Sequence, residues 1–449
     1  MRSGISTWHL LLFAAPAAVS AIMHGPVAGI LPTLYSAEFG LDLAVMGTVL
    51  LVARVFDAVT DPLIGYFSDC TESRWGKRKP WVVFGAALTV FSIYFLFRPG
   101  EHGGMTYYLA FSLLLYFAWT VMEIPYIAWG LELSRDTEQR AKVNAYRAGA
   151  LLLGGIVFTL MPSLVPAAGG SMNFEVLGVL AIGIAIAVPL TTLLAVKYVP
   201  QGEIFEQDER PRLGELFASL RANKPFQVFT LMYVFIGLAS GVSGVVSFMY
   251  IDTFLDIGDR YTELFLPAVI IGPITLPFWV KVMNHFGKIR SATVAFVLYA
   301  LVMPLPWFIQ PGPEAFLPML LYYSGLSVFM PLLMVAMPTI LGDVIDYDEL
   351  HTGKNRAGQY YSYMALIAKG TTAVGGPLAF LALGYFGYQP GAESNDEQAV
   401  LGLRLVANIL PALLIIPGVY LLWKFPISDR AQRQQYEALE ARRKIAEPA

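Results

Sequence analysis

Residues 43–68 read LAVMGTVLLVARVFDAVTDPLIGYFS. A helix needs about 20 mostly apolar residues to cross a bilayer, and this stretch is long enough, yet it carries Arg54, Asp57 and Asp61. An ionisable side chain at the bilayer centre costs roughly 2.5–3.5 kcal/mol on insertion scales, so three of them need a reason. Asp57 to Asp61 is an i,i+4 step and Arg54 to Asp57 is i,i+3, which puts all three on one helical face. Asp57 precedes Asp69, at the polar end of the stretch, by 69 − 57 = 12 residues. At about 1.5 Å per residue that is ~18 Å, mid-membrane depth. Two carboxylates one turn apart repel when both are ionised, and a cation between them relieves the repulsion. A sodium ion could be held by their oxygens, or a proton could neutralise one of them. The alternative is that Arg54 and Lys369 neutralise the pair permanently as packing, although packing needs only one carboxylate per base.

Outward from this stretch the chain is mostly apolar. Of 449 residues, 56% are hydrophobic and 14% charged, against about 25% charged in a typical soluble domain. That excludes a disordered chain and leaves room for about twelve spans. Apolar stretches fall at 7–33, 43–68, 80–98, 105–132, 143–167, 174–198, 226–254, 261–284, 291–310, 315–343, 358–387 and 399–424. Arg2, the leucine run and Ala18-Val19-Ser20-Ala21 have some look of a cleavable signal peptide, but cleavage there would leave eleven spans and break the symmetry described below. The net charge of −3 gives no electrostatic reason to expect nucleic acid, and the single cysteine, Cys70, excludes an intrachain disulfide or a cysteine-rich metal site.

Lysine and arginine in the loops set the orientation. Arg74, Lys77, Arg78 and Lys79 follow span two, and Arg135, Arg140 and Lys142 follow span four. Arg210, Arg212, Arg221 and Lys224 occupy the middle loop, with Lys288, Arg290, Lys354, Arg356 and Arg442-Arg443-Lys444 later on the same side. Opposite them lie Arg98 and Arg260 among Glu101, Asp256, Asp259, Glu393, Asp396 and Glu397. Both termini are therefore expected in the cytoplasm, with the chain in the plasma (inner) membrane.

The polar interval 199–224 separates six spans from six. Gly76-Lys77-Arg78 returns as Gly287-Lys288-Ile289-Arg290, an offset of 288 − 77 = 211, and Ile124-Pro125 returns as Met337-Pro338, at 338 − 125 = 213. Two agreeing offsets point to a parallel repeat, a transporter architecture in which substrate binds between halves near mid-membrane. The expected organisation is an all-α membrane protein: an N-terminal six-helix bundle over 1–198, a cytoplasmic middle loop over 199–224, a C-terminal six-helix bundle over 225–427 and a cytoplasmic tail over 428–449. GK-R tripeptides are also common cytoplasmic anchors, which is the competing explanation of the first match.

Further intramembrane charges accompany these. Span four carries Tyr116, Trp119, Thr120, Glu123 and Tyr126 on one face, an acid within an aromatic stripe that suits a polar ligand with apolar faces, such as a sugar ring. Helix packing would explain the aromatics but not Glu123. Arg147 sits one turn into span five, and Lys369 lies deep in span eleven, where it could answer acids of the first half. Asp343, Asp346, Asp348 and Glu349 close span ten as gate or helix-end charges.

Asp57-Ala58-Val59-Thr60-Asp61-Pro62-Leu63-Ile64-Gly65-Tyr66-Phe67-Ser68-Asp69, followed by Ser73-Arg74-Trp75-Gly76-Lys77-Arg78-Lys79-Pro80, resembles the signature of the glycoside–pentoside–hexuronide:cation symporters. The melibiose permeases are the best-known members of that family, which belongs to the major facilitator superfamily. Met122-Glu123-Ile124-Pro125-Tyr126 resembles its helix-four element, and Asp343-Val344-Ile345-Asp346-Tyr347 with Lys369 its helix ten–eleven segment. The resemblance covers nearly the whole chain. It implies the major facilitator fold, with Asp57 and Asp61 as coupling-cation carboxylates and Thr120 as a further oxygen ligand. It also implies Glu123 and Arg147 in a sugar site, and Lys369 linking the halves. Three positions depart from the pattern. Ala17-Ala18-Val19-Ser20-Ala21-Ile22 lacks a helix-one acid, Ile127 stands where melibiose-type relatives have an aromatic residue, and Thr60 stands where sodium-using relatives have an amide. The first two argue against a galactoside, and the third, beside the cation pair, leaves sodium and proton open.

The expected function is alternating-access symport of a sugar or glycoside with Na+ or H+ by a monomer without cofactor, Na+ being the one metal ion that Asp57 and Asp61 would hold. Arg54, Asp69, Arg78, Arg140, Asp343 and Asp346 would serve as gating charges. Relatives of this fold also carry lysolipids and amino-acid-like solutes, which is the nearest alternative. A membrane-embedded enzyme is disfavoured because His9, His24, His102, His285 and His351 form no ligand spacing and no nucleophile motif occurs. A channel would require neither the two-half symmetry nor a deep lysine facing two acids.

Overall fold

The computed structural model describes residues 5–134, 136–202, 221–353, 356–392 and 394–427, together with 432, 434 and 435. The expectations for Arg135, Arg210, Arg212, Lys354, Glu393 and Arg442-Arg443-Lys444 lie outside the described residues, as does most of the middle loop and tail.

Among the described residues, twelve helices are long and apolar enough to cross a membrane. We number them α1 (Thr7–Gly25), α2 (Leu43–Cys70), α3 (Lys79–Phe97), α4 (Met105–Glu132), α5 (Thr137–Leu164) and α6 (Phe174–Tyr198). They continue as α7 (Lys224–Met249), α8 (Tyr261–Phe286), α9 (Lys288–Val302), α10 (Phe316–Thr352), α11 (Ala357–Tyr385) and α12 (Glu397–Trp423). The chain is a multi-pass all-helical membrane protein. Short polar side chains start several of the helices: Asp42 accepts from the Val45 amide at 3.0 Å and Asn173 from the Val176 amide at 3.1 Å, each satisfying an orphan donor of the first turn.

Two helices run further than apolar content alone suggests. Beyond Gly25, α1 continues through a π turn, Pro26–Ile30, into a helix over Leu31–Phe39, and Gly40 ends it in the left-handed conformation. In α10 the helix holds 37 residues, ~55 Å at 1.5 Å per residue, against a hydrocarbon core of ~30 Å. Asp343, Asp346, Asp348 and Glu349 therefore form its last turns instead of a loop. Hydropathy stops at the first charge, whereas backbone hydrogen bonding does not.

Two compact units divide the chain. One comprises Met1–Gln207, Val245–Leu266 and Ala379–Gly402, the other Asp208–Gly244, Pro267–Leu378 and Leu403–Ala449. The first has its core in residues such as Phe13, Tyr35, Phe97, Tyr126 and Trp129, the second in Phe226, Phe229, Phe296, Leu332 and Tyr360. In the first unit α1 and α5 touch backbone to backbone, for a Cβ added at Gly154 would lie 2.0 Å from the Ala18 carbonyl oxygen. Such small-residue contacts drive helix association where lipid removes the hydrophobic driving force. Lys79 donates to the carbonyls of Val196 and Val199 at 2.8 and 2.6 Å, capping the C-terminus of α6 with a cation.

The repeat reappears in local geometry. Gly76 and Gly287, 287 − 76 = 211 positions apart, have φ of 87° and 88°. Next to the first, Arg78 donates to Glu132 Oε1 at 2.7 and 2.9 Å, and next to the second, Lys288 donates to Asp343 Oδ1 at 2.5 Å. Each pair ties the start of one helix, α3 or α9, to the end of the next, α4 or α10.

Candidate functional site

α2 presents two faces. Val52, Val55, Val59, Leu63 and Tyr66 are exposed, as suits residues that meet lipid, while Asp57, Thr60, Ile64 and Ser68 are buried. The spacing of these residues dictates the split, because a 3.6-residue turn sends the valines to one side and the carboxylates to the other.

On the inward face the side chains of α2 and α4 meet. The Thr120 hydroxyl lies 3.2 Å from Asp57 Oδ1 and 3.0 Å from Asp61 Oδ1. A hydroxyl has one proton, so it can donate to one of these oxygens at a time. Asp57 and Thr120 are 7% and 4% exposed, and burying carboxylates this close together favours a bound cation or proton. Thr60 sits on the same face, but its hydroxyl donates to the Asp57 carbonyl at 3.3 Å.

Arg54 borders the pair. Its Nη1 is 3.6 Å from Asp57 Oδ2, its Nη2 donates to the Tyr116 hydroxyl at 3.1 Å, and its guanidinium lies 4.5 Å from the centre of the Tyr116 ring. One turn along α4, Glu123 accepts from Arg147 Nη2 of α5 at 2.5 Å, with both side chains roughly one-fifth exposed. The Nε atoms of Arg54 and Arg147 are buried without a hydrogen-bond partner among the described residues.

The aromatic stripe expected on α4 divides. Tyr126 is buried, stacked on Phe13 with centroids 4.7 Å apart, and donates its hydroxyl to the Phe13 carbonyl at 2.5 Å. Tyr116 is buried and serves Arg54. Only Trp119 of the three is half-buried. An i,i+3/i,i+4 stripe spans more of the helix circumference than one open face, and packing against α1 claims part of it.

The expected gating charges separate into local clusters. Arg78 pairs with Asp69 and Glu132 and donates to the Ser68 hydroxyl at 2.7 Å. Arg140 donates to the Ser134 carbonyl at 2.8 Å. In the second unit Asp343 holds Lys288, and Asp348 takes Arg356 in a two-pronged pair at 2.6 and 2.9 Å. Asp346 is half-buried on α10, and Lys369 is exposed on α11 of the second unit.

Two participants escaped the sequence reading. Glu132 is the partner of Arg78, and its position at the base-rich end of α4 was the available signal. His24 packs its ring on Trp119 with centroids 3.9 Å apart. Taken with the other histidines it has no ligand spacing, and only its depth in α1, two residues before Pro26, sets it apart.

Known proteins resemble this chain along most of its length. The family described as MFS/sugar transport protein matches residues 12–429. The glucuronide carrier protein homolog of Escherichia coli (strain K12) is 23% identical, over 92% of this chain and 90% of its own length. The sodium-dependent lysophosphatidylcholine symporter 1 of Mus musculus is 25% identical, over 89% of this chain and 81% of its own. Among solved structures the nucleoside transporter NupG superposes with a TM-score of 0.68 at 13% identity, covering 94% of this chain and all of that one. At that identity the likeness speaks for the fold, which is the major facilitator fold. The chain belongs to the MFS/sugar transport protein family.

Proposed function

We propose that the protein couples inward movement of Na+ or H+ to uptake of a sugar or glycoside by alternating access. The observation that carries this reading is the three-oxygen cluster of buried Asp57 and Thr120 with half-buried Asp61, midway along α2 and shared by two helices. A cation there removes the repulsion between the carboxylates and releases Arg54 from Asp57. Substrate binds beside it against Trp119, Glu123 and Arg147. Only the empty or doubly loaded carrier changes access, and this couples the fluxes. One charge moved through 100 mV supplies about 2.3 kcal/mol, enough for a gradient of roughly fifty-fold in a neutral solute. The base-rich loops face the cytoplasm by the positive-inside rule. The clusters around Arg78 and Lys288 hold helix ends there and act as gating charges together with Arg140 and Asp346.

Reconstitution in proteoliposomes tests the reading. A carrier exchanges labelled for unlabelled p-nitrophenyl glycoside without an ion gradient, and cation-driven accumulation disappears in Asp57→Asn and Asp61→Asn. Accumulation that survives in both variants rules out the cation site. The mouse relative favours a second reading, in which the same coupling drives a lysolipid. Thermal stabilisation by lysophosphatidylcholine with Na+, and by no glycoside, would select it.

A further inference from the structure

At the end of the first unit where Arg98 lies, the helical extension of α1, the end of α3 and the start of α6 border a cavity of about 590 Å³. That is within the range of about 300–1,000 Å³ usual for small-molecule clefts. Three charges line it: Glu38 on the extension of α1, Arg98 just after α3, and Glu175 in the first turn of α6. All three are exposed, and among the described residues none makes an ion pair or a side-chain hydrogen bond. Opposite charges that line one cavity without meeting leave room for a ligand that carries both signs.

Arg98 is not required as a helix cap. The carbonyls of Phe95 and Leu96, which end α3, accept from the Tyr107 and Tyr35 hydroxyls, each at 2.8 Å. The guanidinium lies instead over the exposed Tyr94 ring, 5.6 Å from its centre. Arg260, the other base expected on this side, is by contrast paired with Glu263. Apolar surface continues from the charges. Tyr94, Phe95, Val179 and Ile182 line the cavity and are exposed. The exposed row runs on along α6 through Ile186 and Leu190 and along α3 through Phe91 and Phe84, at steps of about three, four and seven residues that keep to one helical face. α3 and α6 pack on each other, so the two rows adjoin. A free anion would use the charged end alone, whereas an apolar track beginning at a cation suits a lipid.

We propose that this groove binds an outer-leaflet phospholipid with a primary-amine headgroup: Arg98 holds the phosphate, Glu38 and Glu175 receive the ammonium, and an acyl chain lies along α3 and α6. Arginine matches phosphate with paired donors. A primary ammonium offers three N–H donors to the carboxylates, a choline headgroup offers none, and a purely anionic headgroup is repelled by them. The leaflet follows from the loops, because Arg98 lies opposite the base-rich side. The cavity shares no residue with the cluster of Asp57, Asp61 and Thr120 or with Glu123 and Arg147, so the site does not depend on which solute is carried. Gly178 keeps the groove open beside the guanidinium, for a Cβ added there would lie 4.0 Å from Arg98 Cγ and Nε.

The test uses the purified full chain, delipidated in detergent and titrated with dioleoyl phosphatidylethanolamine, phosphatidylcholine or phosphatidylglycerol. Native mass spectrometry counts bound lipid, and the melting temperature follows stabilisation. The wild type prefers the ethanolamine lipid over the glycerol lipid by about fivefold, the scale of a surface charge contact. Arg98→Gln lowers affinity for the ethanolamine lipid about tenfold, the scale of a lost charge-assisted hydrogen bond. Gly178→Leu, which fills the groove and leaves every charge in place, lowers it by a similar factor. Glu38→Gln combined with Glu175→Gln abolishes the preference over the glycerol lipid. Lipid-free melting temperatures match the wild type; a variant whose own falls is set aside, and the other decides. No preference for the ethanolamine lipid in the wild type, or unchanged affinity in Arg98→Gln and Gly178→Leu, overturns the site. A thermal shift of the same size from inorganic phosphate alone overturns the lipid as its occupant.

Discussion

The two six-helix halves share a scaffold and differ in chemistry. Each has a positive-φ glycine, a base at the start of its third helix and an acid near the end of its fourth, in matched positions. Inside the membrane the likeness ends. The first half gathers Arg54, Asp57, Asp61, Glu123 and Arg147 on facing helices, whereas the second brings Lys369 on α11. Clamps at helix ends are a requirement of folding and recur wherever the fold recurs. Interior charges cost insertion energy, and on the function proposed above they gather in the first half around the cation pair. The comparison teaches that two copies of a repeated scaffold can keep the same helix-end clamps while carrying different interior charges.

The comparison breaks most visibly at the carboxylates. Asp57→Asn should lower cation-driven uptake by roughly 100-fold or more, because one charge contact at ~4 Å with an effective dielectric of ~20 exceeds the ~2.7 kcal/mol required. Uptake in proteoliposomes measures it, and near-normal coupling would remove the claimed specialisation of the first half. Next in size, Gly154→Val should destabilise the protein by about 3 kcal/mol or more, the upper end of overpacking, since the clash is with backbone. Loss of a monodisperse gel-filtration peak would register it.

The clamps offer a sharper comparison. Lys288→Ala strips Asp343, whose side chain is 3% exposed, of its ammonium, whereas Arg78→Ala leaves Asp69 and Glu132 at 27% and 19%. The first should cost about 2–3 kcal/mol and the second about 1, since water compensates exposed carboxylates better than buried ones. Melting temperatures in detergent rank them, and the reverse order would mean that the two clamps are not equivalent. Smallest, Tyr126→Phe should cost about 1 kcal/mol by losing the bond to Phe13, with transport kinetics otherwise preserved. A large rise in KM without a stability change would instead return Tyr126 to the ligand site.

Much of the site was legible because intramembrane charge is rare. Asp57, Asp61, Glu123 and Arg147 stand out from apolar neighbours at helical spacing, and the structure brings the first two to Thr120 and the last two to each other. His24 was not legible, because histidine is only weakly conspicuous and its partner Trp119 lies 119 − 24 = 95 residues away. Tyr126 was misleading for a related reason. Periodicity assigns a residue to a face, but which part of that face is covered depends on the neighbouring helix, here Phe13 of α1.

The sequence by itself determined the number of spans, the two-half repeat and the depth of each interior charge, because helical rise converts residue number directly into distance across a bilayer. Only the tertiary structure decided which of those charges meet, which aromatics remain open, and that His24 of α1 packs on Trp119 of α4. Contacts between helices depend on how each is rotated and how closely it packs, and that is set by shape at places such as Gly154 and Ala18, where periodicity carries no signal.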